Sequence, residues 1–168
     1  MMAPRILVAG IGNIFLGDDA FGVEVAWRLA RRTLPENVRV IDFGIRGMDL
    51  VYALLDGYDA AILVDASPRG GEPGTLYVIE TENPGEASQP ALVEAHGLNP
   101  MRVLDMARSL GHCPARLLVL GCEPATLGDE IEGAMGLSAP VEAAVEGAMA
   151  MVESLVLRIT EELAAAAA

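Results

Sequence analysis

Short apolar runs that end on glycine or aspartate alternate along this chain with stretches of helical spacing, and that alternation leaves few folds open. RILVAG, residues 5–10, is a β-branched run stopped by glycine, the pattern of a buried strand. From about residue 20 to 32, Phe21, Val25, Ala26 and Leu29 fall close to helical spacing. VRVIDFG (38–44) predicts a second strand, MDLVYALL (48–55) a helix, and AAILVDAS (60–67) a third strand that ends on Asp65. PRGGEPG is a turn cluster, and TLYVIE (75–80) after it predicts a fourth strand, antiparallel to its predecessor because the link is so short. A polar loop, a helix over 100–110, a fifth strand over 115–124 and a long helix from 138 to about 163 complete the pattern, with Pro140 tolerated in the last helix's first turn. The expectation is an α/β fold: a three-layer α/β/α sandwich on a five-stranded, mainly parallel but mixed sheet. With no internal repeat or linker, residues 1–163 are expected to form a single domain, and the alanine tail at 164–168 to fray. Ligands of such sheets bind beyond the carboxyl ends of the strands.

The chain's 168 residues suit one domain, and its 52% apolar content with only 4% aromatics predicts a core of Ala, Val, Leu, Ile and Met. Eleven basic against 24 acidic side chains give a net charge of −13. So acidic a surface repels phosphate backbones and anionic lipid, which makes nucleic acid and membranes poor partners and a metal ion or cationic peptide better ones. No apolar run reaches the ~18 residues of a membrane span. Residues 6–16 resemble a signal-peptide core only superficially, since acidic residues follow without a small-residue cleavage site, so a cytoplasmic protein is expected. Cys113 and Cys122 flank the fifth strand, roughly 30 Å apart if extended. They are too far apart to pair, in keeping with a reducing compartment.

The loop after the first strand reads GIGNIFLGDDAFG. A dinucleotide fingerprint would require glycine where Phe15 stands, and no Walker sequence is present, so the glycines predict a tight strand-to-helix turn. Asp18 or Asp19 is the natural cap of the following helix; the other is then a carboxylate available as a ligand. Asp65 reaches the same carboxyl edge from the third strand. Of the two histidines, His96 precedes its helix on that edge, whereas His112 leaves the helix on the opposite side and reads as a surface turn residue. Asp19, Asp65 and His96 make a mixed oxygen and nitrogen set that suits nickel or zinc and leaves coordination positions open. H-E-x-x-H and G-x-S-x-G are absent, and Ser109 sits near a helix end as a structural residue, so neither a zincin nor a serine hydrolase is supported.

These residues resemble the [NiFe]-hydrogenase maturation endopeptidases over almost the whole chain. The resemblance rests on GIGNIFLGDDAFGV, DFGIRGMDL, ILVDAS and His96, with LGCEP and GLSAPVEAAV in support. It implies a peptidase that removes a C-terminal extension from a hydrogenase large-subunit precursor, its partner, after sensing nickel carried by that substrate, with no organic cofactor. It assigns metal binding and catalysis to Asp19, Asp65 and His96; the family often has glutamate at the first position, where this chain has the shorter Asp19. Asp18 would position the loop or support a ligand, Arg46 is expected to be solvated, and a monomer is the default. A non-cleaving docking protein with the same ligand set and a nucleotide-using enzyme of related architecture are the alternatives.

Overall fold

The computed structural model describes residues 2–81, 99–128 and 132–168. Five strands, β1 (Ile6–Ile11), β2 (Val38–Gly44), β3 (Ala60–Ala66), β4 (Leu76–Thr81) and β5 (Arg116–Cys122), form one sheet in the order β2-β1-β3-β5-β4. The first four strands of that order run parallel, and β4 closes the edge antiparallel to β5. The short β3–β4 link does reverse the chain, as expected, yet β4 pairs with β5 and not with β3. Four helices follow the predicted segments closely: α1 (Phe21–Leu29), α2 (Gly47–Leu54), α3 (Pro100–Leu110) and α4 (Ala139–Ala167). The last helix runs through the alanine tail that was expected to fray, since alanine is the strongest helix former and nothing there interrupts it.

Strand alternation sorts the core into two layers. Ile6, Val8, Ala60, Ile62 and Val64 pack against Phe21, Val25 and Leu29 of α1 and the apolar stripe of α4. Leu7, Ala9, Ala61 and Leu63 face the other way, onto Leu50, Val51 and Leu54 of α2 and Val103, Leu104 and Ala107 of α3. The helices thus cover both faces of the sheet, which is why its central strands can be apolar throughout.

Two glycines bring α1 unusually close. A Cβ on Gly10 would lie 2.4 Å from the Gly22 carbonyl oxygen, and one on Gly22 would lie 1.9 Å from that of Val64. Helix-to-strand contact at this range requires residues without side chains. From β1 the chain goes outward to β2 and then returns to β3 on β1's other side, so the connections diverge between β1 and β3. A crevice beyond the carboxyl ends of two such strands is where sheets of this type bind ligands.

Candidate active site at the carboxyl edge of the sheet

The loop leaving β1 turns back at Gly12, whose φ of 146° favours glycine. It then enters a 3-10 turn, Gly17–Ala20, that carries both aspartates. Neither caps a helix: α1 begins after Ala20 without a side-chain cap. Asp19 instead accepts a hydrogen bond from the Asn13 backbone N–H at 2.9 Å, which folds its carboxylate back over the end of β1. Asn13 braces the loop further, because its side-chain oxygen accepts from the Phe15 N–H at 2.9 Å. The expectation of a capping aspartate fails because both acids sit inside the 3-10 turn and their carboxylates accept from groups outside α1.

Asp65 comes from the end of β3, on the other side of the divergence, and is 9% exposed. Burial pushes its carboxyl well above the ordinary range and the nearby negative charge of Asp19 pushes it further, while the Ala66 N–H opposes both. Asp19 itself is raised by burial, against the Asn13 hydrogen bond. Among the described residues neither acid has a basic partner. The two acids thus share a partly dry crevice, where the charge of Asp19 disfavours ionisation of Asp65.

Asp18 points elsewhere. It has no exposure, and its two oxygens accept from the backbone N–H groups of Ala125, Thr126 and Ser138 and from the Ser138 hydroxyl. Burial alone would raise its pKa, but those four hydrogen bonds outweigh burial and hold it below the ordinary value. His96 lies outside the described residues. The helix it precedes starts with Asn99 accepting from the Met101 N–H at 2.9 Å, and ends with Gly111 against Leu55, at the foot of β3. The start of α3 is thus turned toward the carboxyl edge, on the layer shared by Leu63. His112 is exposed in the turn before β5, as expected. Among the described residues no cluster of three or more His, Cys, Asp and Glu side chains is arranged to hold a metal ion.

The glycine-rich loop does not form a phosphate cradle, because the space beside Gly12 is taken by the chain's own Asp19 carbonyl, 1.8 Å from where a Cβ would stand. The close helix approach that a fingerprint's third glycine provides comes here from Gly22, while Phe15 projects outward and is 60% exposed. Arg46, expected to be solvated, is exposed yet folds over the end of β2 and donates to the carbonyls of Phe43 and Asp42.

A model of the hydrogenase maturation protease family matches residues 23–155. The chain belongs to that family. It is 36% identical over 163 residues to the hydrogenase expression/formation protein HupD of Rhizobium leguminosarum bv. viciae, covering 94% of this chain and 79% of that one. It is 35% identical over 154 residues to the hydrogenase 2 maturation protease of Escherichia coli, covering 88% of each. The hydrogenase maturating endopeptidase HybD from E. coli superposes with a TM-score of 0.75 at 31% identity, over 92% of this chain and 93% of that one. A hydrogenase maturation protease is an endopeptidase, and the expected fold and activity class both hold.

Two further features of this family member escaped the sequence reading. Glu123, in the LGCEP segment, is 3% exposed and accepts from the backbone N–H groups of Arg69, at 2.8 Å to one oxygen, and Gly71, so it ties the β3–β4 loop to the end of β5. A glutamate directly after a buried strand was the available signal. Cys122 beside it is no nucleophile: burial, with the charges of Asp18 and Glu123, pushes its thiol up to about 11.

Proposed function

We propose that this chain removes the C-terminal extension of a nickel-loaded [NiFe]-hydrogenase large-subunit precursor, and that Asp19, Asp65 and His96 complete the coordination of the nickel the substrate carries. The observation that supports it most is the pairing of Asp19 and Asp65 across the divergence of β1 and β3, with Asp65 raised by burial and by its neighbour's charge. Two repelling carboxylates in a desolvated crevice favour a divalent cation over any anionic ligand. The start of α3 at the same edge supports His96 as the third donor, with imidazole suited to nickel. Bound there, the substrate's metal would polarise the scissile carbonyl or acidify a water for attack. This chain's part is then to orient: Asn13 holds Asp19, and the Ala66 N–H holds Asp65. The free thiols of Cys113 and Cys122 suit a reducing cytoplasm.

Incubation with nickel-loaded precursor, read by mass spectrometry, tests the reaction: a loss equal to the extension is expected, and a stable complex with intact precursor would make this a docking protein. His96→Ala should weaken Cd²⁺ or Ni²⁺ binding by at least about tenfold, as expected for a lost ligand. His112→Ala should leave it unchanged, and equal effects from both would refute the ligand assignment.

A further inference from the structure

Asp18 is a fully buried charge to which the acid-pair reading gives no chemistry. Among the described residues, all four hydrogen bonds to its carboxylate come from the segment between β5 and α4. Its Oδ2 accepts from Ala125 N–H at 2.8 Å, Thr126 N–H at 3.1 Å and the Ser138 hydroxyl at 2.8 Å; its Oδ1 accepts from Ser138 N–H at 2.7 Å. The backbone repeats the link, since Asp18 N–H donates to the Thr126 carbonyl at 3.0 Å and Gly17 N–H to that of Ala134 at 2.9 Å. Asp18 and Asp19 are consecutive in a 3-10 turn, where successive side chains diverge by about 120°. Asp18 therefore faces the β5–α4 segment, while Asp19 turns to the Asn13 N–H and stands near enough for its charge to act on Asp65. Any rotation of the turn that carried Asp19 away from Asp65 would have to pull Asp18 off its donors, leaving a buried carboxylate unsatisfied.

We propose that Asp18 is a positioning residue: it locks the turn against the β5–α4 segment and so fixes where the Asp19 carboxylate stands. The proposal rests on the acid pair being the active site. Its consequence is that Ser138, whose N–H and hydroxyl donate to Asp18, contributes to the geometry of the pair.

Three variants test it, studied well below their melting temperatures. Asp18→Asn replaces one of the two accepting oxygens with an amide nitrogen, which donates and cannot accept. Ser138→Ala deletes one donor, and Ser138→Thr restores the hydroxyl; this pair decides the matter if Asp18→Asn does not fold. The first readout is the amide resonance of Asn13, the group bonded to Asp19. The second is Cd²⁺ affinity by calorimetry. Asp18→Asn should shift the resonance and weaken Cd²⁺ binding about tenfold, the usual scale for groups that orient a ligand. Ser138→Ala should move both in the same direction, and Ser138→Thr should return them. A lowered melting temperature with the Asn13 resonance and the affinity at wild-type values would show a purely structural role and overturn the proposal. Should the wild-type chain bind no Cd²⁺, it is the cation reading that fails, and the Asn13 resonance alone then decides the role of Asp18.

Discussion

Gly22→Ala is the smallest perturbation that should disable this site without touching an acid. The added Cβ would lie 1.9 Å from the Val64 carbonyl oxygen and 2.4 Å from that of Ile11. Both obstacles are backbone atoms of central strands, Val64 paired on both sides with Gly10 and Leu120 and Ile11 paired with Gly44, so they yield little. Moving the first contact out to about 3 Å requires the start of α1 to lift by roughly 1 Å from a close-packed interface. Overpacking of this kind costs about 3 kcal/mol, the upper part of its usual range. For a chain of this size that is a drop of roughly 6–12 °C in Tm. Asp19 stands just before α1, so the lift also draws it from Asp65, and a displacement of about 1 Å at a reacting centre costs on the order of a hundredfold in rate. The internal control is Gly147→Ala, in the middle of α4. There the new Cβ meets only the Leu76 Cδ1 at 3.5 Å, and removing a helix glycine should stabilise by about 0.5–1 kcal/mol. Thermal melts and precursor cleavage on both variants give opposite signs if the reasoning holds. Wild-type melting and rate in Gly22→Ala would refute it.

Two further outcomes follow from the acids and the thiols. Asp65 titrates above its unfolded value near 3.8, so between that value and its raised one the folded chain holds a proton the unfolded chain has lost. Stability therefore falls as pH rises through that window; Asp65→Asn should remove this decline in urea titrations and stabilise the cation-free protein by roughly 1–2 kcal/mol while abolishing cleavage. An unchanged pH profile in that variant would contradict the burial of its charge. With its thiol near 11, about one Cys122 in ten thousand is ionised at pH 7, so brief iodoacetamide treatment of the native protein should leave Cys122 unlabelled by mass spectrometry and cleavage intact.

Much of the architecture is written locally. The residues of β2 and α3 match their sequence patterns end to end, because VRVIDFG is closed by a glycine at φ 55° and PMRVLDMARSL is opened by Asn99 and a proline. The edge taken by β4 was not legible, because pairing with β5 instead of β3 depends on where the chain returns after the link, which no local pattern encodes. At the site, the placing of Asp19 and Asp65 on one sheet edge followed from topology, and a loop-positioning task for Asp18 was expected from the resemblance, but the groups that hold Asp18 could not be foreseen: its donors lie more than a hundred residues away. Glu123 was hidden for the same reason, its partners being backbone N–H groups of a loop more than fifty residues upstream.

The adjacent aspartates show how one sequence position apart can mean opposite electrostatics. Both are buried enough for desolvation to raise their pKa. Among the described residues Asp18 meets four donors and ends below its ordinary value, while Asp19 meets one and stays above. The difference is set by what the 3-10 turn aims each side chain at, and pairs whose environments drive their acidities apart mark a division of roles. A carboxylate already satisfied by the protein gains little from a cation. One left short of donors beside a second acid gains a great deal. On the proposed reading the cation therefore selects Asp19 and Asp65 over Asp18 although Asp18 is the stronger acid, because affinity follows unmet demand for positive charge and not the ease of ionisation.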